Sequence, residues 1–83
     1  MTTIQTAPVG SWLRVADDLQ NVLISHDWVY PVHVFVGASA PDPNSAYHVC
    51  RSDRPFSLSG ITGQDVYIRS GTDRPLDVVV TAV

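Results

Sequence analysis

The run Val29-Tyr30-Pro31-Val32-His33-Val34-Phe35-Val36-Gly37-Ala38 constrains the fold more than any other stretch. It is the longest succession of β-branched and aromatic residues in the chain. At the two-residue period of a strand, Val32, Val34, Val36 and Ala38 share one face, and His33 and Phe35 share the other. Such a strand has apolar groups on both faces, so both need cover. It is read as central, with the other short apolar runs arranged around it.

The charged residues point the same way. The chain has no Lys and no Glu; its charge is carried by five Arg and eight Asp, for a formal net charge of -3. Glu and Lys favour helices, whereas Asp favours turns. Asp together with Pro, Gly, Ser, Thr and many Val argues for an all-β chain. A nucleic-acid binder needs a basic face, and none is visible. No run reaches the length of a membrane span, and no basic-plus-apolar leader stands at the start. A soluble chain, not exported by a signal of its own, is expected.

At 83 residues the chain makes one domain. A chain this short buries only about 60–65% of its unfolded surface. Small domains add disulfides, a metal or oligomerisation. Cys50 is the single cysteine, so no intrachain disulfide forms. Oligomerisation or docking on a larger body is the cheap source of further burial.

Residues 1–10 are Thr-rich, with Pro8 and Gly10 near the end, and read as an extended N-terminal arm ordered against a neighbour. Residues 11–83 read as a single β domain. Strands are expected over 12–16, 21–25, the central run, 46–51, 56–58, 65–69 and 76–83. Turns are expected at Asp17-Asp18, His26-Asp27-Trp28, the Pro41-Asp42-Pro43-Asn44 loop and the Gly60–Gly63 loop. Arg51-Ser52-Asp53-Arg54-Pro55 and Arg69 to Pro75 echo each other as strand, Asp-Arg-Pro turn, strand, and both read as hairpins. The last strand is apolar and lacks Lys, so it is expected inside a sheet or under a partner. The whole is a small antiparallel β-sandwich or barrel of about six to seven short strands.

Catalytic and metal readings fail on ligand number and spacing. His48 and Cys50, two apart on a strand, point to one face, but zinc needs three or four ligands and only His26 and His33 are left to help. At roughly 6–7 Å apart along a strand they are also too distant for a thiolate–imidazole pair. Packing is the better reading of both. Asp17, Asp18 and Asp27 sit at turn signals. Gly60 and Gly63 lack the Lys and the helix of a phosphate loop. No enzyme, catalytic residue, metal or cofactor is expected.

Trp, Tyr and Arg are the types that anchor protein interfaces. Trp12 reads as core. Trp28 reads equally as an end plug of the sandwich or an interface anchor. The candidate partner-binding residues are Ile4 on the arm, Trp28, Tyr30, Arg54 and Arg74. A further option is sugar stacking on Trp28 and Tyr30, as in carbohydrate-binding modules.

The succession Ala7-Pro8-Val9-Gly10-Ser11-Trp12, then Pro31-Val32-His33-Val34, Ala38-Ser39-Ala40-Pro41, Val66-Tyr67-Ile68-Arg69 and a closing Val-rich strand resembles small virion proteins of tailed bacteriophages. The resemblance runs from about Ala7 to Val83, as a pattern of phrases. Cys50 and the Asp53-Arg54-Pro55 turn depart from it. It implies an all-β structural part, commonly a trimer, with no catalytic residues. The expected role is a capsid decoration subunit on the virion surface, binding itself and the major capsid protein. A tail or head-fibre adaptor is the alternative. Such a protein is made in the host cytoplasm.

Overall fold

Short runs of β-branched and aromatic residues, several alternating with polar ones at period two, become the strands here. The computed structural model describes residues 2–17, 21–42, 44–60 and 63–82. Among them are eight strands and no helix: β1 Thr2–Ala7, β2 Leu13–Asp17, β3 Asn21–Ser25, β4 Val32–Gly37, β5 His48–Cys50, β6 Phe56–Ser59, β7 Asp65–Ser70 and β8 Leu76–Ala82. They form two four-stranded antiparallel sheets, β1-β8-β3-β6 and β2-β7-β4-β5. The small β-sandwich is therefore observed. Asp18, Pro43, Ile61 and Val83, each part of an expected turn, loop or strand, lie outside the described residues.

The pairing follows one scheme. β1 pairs with β8, β2 with β7, β3 with β6 and β4 with β5, and the β8–β3 and β7–β4 pairings complete the sheets. This is a long antiparallel ribbon rolled up on itself, the double-sheet jelly-roll topology. Only β4 and β5 are joined as neighbours within one sheet; every other connection crosses between sheets.

The central run holds its place. β4 lies inside the second sheet, between β7 and β5. Val32 and Val34 are fully buried; Val36 is half-buried, and Ala38, beyond the strand end, is exposed. The core between the sheets joins Val22, Ile24, Leu76, Val78 and Val80 from one side to Val32, Val34, Val66, Ile68 and Cys50 from the other. β8 is interior to the first sheet, where its inward Leu76, Val78 and Val80 join the core.

Three expectations change. The N-terminal residues are extended, but Thr2–Ala7 do not wait for a neighbour to order them. They form an edge strand in unbroken register with β8, from Thr2 opposite Thr81 to Ala7 opposite Leu76. The alternation of Thr3, Gln5 and Ala7 inward against Thr2, Ile4 and Thr6 outward is the signal, obscured by the polar character of Thr and Gln. Second, the Asp-Arg-Pro turns do not make hairpins. They carry β5 to β6 and β7 to β8 from one sheet to the other. Turn chemistry sets a change of direction, but distant strands decide which sheet receives the chain. The two turns are also built differently. Arg54 N–H donates to the Arg51 carbonyl at 3.0 Å in the first. In the second, the buried Ser70 hydroxyl donates to the Arg74 carbonyl at 2.6 Å and accepts from Thr72 N–H at 3.2 Å. Third, Trp12 is not core: it is half-buried on the outer face of the second sheet, described below.

Candidate interaction site

The β3–β4 crossover, residues 26–31, turns back over the outer face of the first sheet and is pinned by one buried histidine. His26 Nε2 lies 2.8 Å from the Cys50 carbonyl, and Trp28 N–H donates to His26 Nδ1 at 3.1 Å. Since Nδ1 accepts, Nε2 carries the hydrogen and donates. Both ring nitrogens are thus spent on backbone groups, which ties the crossover to β5. The indole is then fixed from its other end: Trp28 Nε1–H donates to the Asp77 carbonyl at 2.9 Å.

This holds the Trp28 ring over β8 beside two apolar side chains. Ile4 and Val79 are register partners on β1 and β8. Ile4 is 72% exposed, and Trp28 and Val79 are each 40% exposed. Together they line an open groove of about 270 Å³, with Asp27 and Asp77 also lining it. Leu23, further across the same sheet, is exposed too. Asp77 Oδ1 accepts a hydrogen bond from the Thr6 hydroxyl at 2.8 Å, so this carboxylate also braces the β1–β8 pair. A rigid aromatic ring, two exposed aliphatic groups and a carboxylate rim suit protein contact.

The five candidate residues separate. Ile4 and Trp28 meet in the groove. Tyr30, on the same crossover, instead packs half-buried against the core, with the Arg74 guanidinium 5.7 Å from its ring centroid. Tyr30 and Arg74 thus belong together, but neither lines the groove. Arg54 lies on the β5–β6 crossover, exposed, and does not line it either. The pair of Trp28 and Tyr30 as a sugar platform is not assembled, because the two rings serve different surroundings.

Cys50 is fully buried, its Sγ 3.6 Å from the Ile24 carbonyl and 3.8 Å from the Arg54 carbonyl. Burial pushes its thiol pKa up, which removes thiolate character. His48 is exposed and packs against the Phe56 ring, with centroids 5.9 Å apart. Among the described residues no group of three or more His, Cys, Asp or Glu is placed to hold a metal ion.

A second cluster was not among the sequence candidates. On the outer face of the second sheet the Arg69 guanidinium lies 4.3 Å from the Trp12 ring centroid and 5.6 Å from that of Tyr47. The His33 and Tyr47 rings stack at 3.7 Å. Phe35 lies between Trp12 and Tyr67, with centroids 6.1 and 6.2 Å away. This cluster is the outer cover that the His33 and Phe35 face of β4 requires. The alternations Tyr67/Arg69 and His33/Phe35 could have announced it, since β7 and β4 place them side by side. The Trp12 indole N–H is buried without a hydrogen-bond partner.

No protein-family model, characterised protein or solved structure matches this chain, so its site rests on its own geometry.

Proposed function

We propose that this chain is a non-enzymatic structural subunit of a tailed-phage virion that docks through the Trp28 groove. A capsid decoration role, with the major capsid protein as partner, is favoured over a tail or head-fibre adaptor. The observation that carries the reading is the groove itself: Trp28 is held by two hydrogen bonds yet leaves 40% of its surface exposed beside Ile4 and Val79. A domain this small gains by covering such surface. The jelly-roll topology supports it by analogy, since capsid proteins use that architecture, though lectins do as well. One observation favours a sugar-binding alternative: Asp27 and Asp77 line the groove with the exposed Trp28 ring, and an aromatic face with carboxylates nearby can stack on a pyranose and accept from its hydroxyls.

The test is co-sedimentation of the purified chain with shells assembled from tailed-phage major capsid protein. Wild-type chain is expected to pellet with the shells. Trp28→Ala is expected to weaken binding by about thirtyfold or more, the loss typical of an aromatic anchor, with an unchanged far-UV spectrum. Failure of wild type to pellet overturns the reading. A Trp28 fluorescence response to glycans would transfer the groove to the sugar-binding alternative.

A further inference from the structure

Each sheet ends on two edge strands, and three of the four edges carry a feature that discourages further pairing. β2 is broken by a register shift between Arg14 and Ala16 and carries the exposed Arg14. β5 is three residues long. β6 has four residues, preceded by Pro55 and followed by Gly60 at φ +68°. Short length, bulges, charge and proline are the usual means of closing an edge.

Pro8 stands directly after β1, but along its own length β1 has none of them. It is six residues long, keeps unbroken register with β8, and its sequence TTIQTA contains neither charge nor proline. Among the described residues, the sheet order leaves its far side without a strand. A row of backbone donors and acceptors is matched by one kind of occupant, an extended strand.

We propose that β1 is a self-association edge, pairing antiparallel with β1 of a second copy about a twofold axis. Two four-stranded sheets would then join into one of eight. Antiparallel pairing of a segment with itself closes after two copies. With no charge in the segment, nothing repels across the axis. Facing allows only even shifts of register, and centring on Ile4 pairs the greatest length of strand. Thr2, Ile4 and Thr6 point outward, so outer faces coincide when Ile4 meets Ile4 of the second copy and Thr2 meets its Thr6. Shifting by one residue would set outward Ile4 against inward Gln5. The matched register brings Ile4, Val79 and Trp28 of both copies into one apolar band and adds cross-strand Thr pairs. This rests on the shell-binding reading, specifies its self-association, and sets a twofold dimer in place of the trimer that the phage resemblance implies.

Sedimentation equilibrium of the full chain over a dilution series tests the proposal. Wild type is expected at twice the chain mass of 9.0 kDa, dissociating on dilution. Ile4→Lys and Thr2→Lys are expected at the single-chain mass with unchanged far-UV spectra. Ser57→Lys, on the β6 edge, is expected to stay dimeric. Air oxidation of Ile4→Cys should link two copies, and Ser57→Cys should not. A wild-type chain at 9.0 kDa throughout, a three-copy mass, a dimer that survives both lysines, or no Ile4→Cys cross-link overturns the proposal. A chain that dimerises through β1 but ignores shells defeats only the shell reading. A chain that binds shells as a monomer defeats only this one.

Discussion

Two neighbours act on the charge of His33 in the same direction. Burial disfavours the imidazolium, and the Arg69 guanidinium, with a terminal nitrogen 3.5 Å from Nδ1, repels it. The folded-state pKa is therefore held below the ordinary 6.5. In the unfolded chain the group titrates at its ordinary value, so between the two values the unfolded state binds more protons. Its contribution to stability is fully present above pH 6.5 and is lost as the pH falls through that window to the folded pKa. Thermal melts from above pH 6.5 downward are expected to show a fall in midpoint that His33→Gln reduces. An equal slope in both proteins would remove His33 from the account. At this scale the sequence was partly legible. That β4 is apolar on both faces follows from Val32 to Val36 alone. That Arg69, Tyr47 and Trp12 supply the outer cover does not, because they come from three other segments.

Elements show the same division. Seven of the eight strands are legible in the sequence because each carries a short run of β-branched, aromatic or other apolar residues between turn signals. The eighth, β1, reads as an extended arm because Thr and Gln resemble linker residues until β8 is placed beside them. Ile24 illustrates what an inward strand position is worth. It is fully buried on β3, between β6 and β8, and its carbonyl lies beside the Cys50 thiol. Ile24→Ala is expected to destabilise the fold by about 2–5 kcal/mol, the usual cost of such a cavity. A domain of this size has only about 4–12 kcal/mol in total. Urea unfolding should show a sharply lower midpoint with little change in slope. A loss below about 1 kcal/mol would mean the sheets close over the gap, and the core is looser than drawn.

The fold as a whole is dominated by distant partners. Only the β4–β5 pair joins strands adjacent in sequence; β1–β8 and β2–β7 close nearly the entire chain. Closing such loops before their contacts form is slow, so refolding in the range of milliseconds to seconds is expected. Stopped-flow Trp fluorescence will measure it, and a microsecond phase carrying the full amplitude would contradict the topology. The same non-locality explains why sheet membership escaped the sequence: Asp53-Arg54-Pro55 and Asp73-Arg74-Pro75 look like local hairpin turns, and only the rolled ribbon reveals them as crossovers. One consequence belongs to the β1–β8 register. Thr2 and Thr81 stand opposite one another, their hydroxyl oxygens 2.7 Å apart. Any polypeptide grafted before the first strand or after the last therefore leaves the molecule at the same corner, and a few flexible residues would bridge the two positions and turn the chain into a closed loop that can be reopened elsewhere.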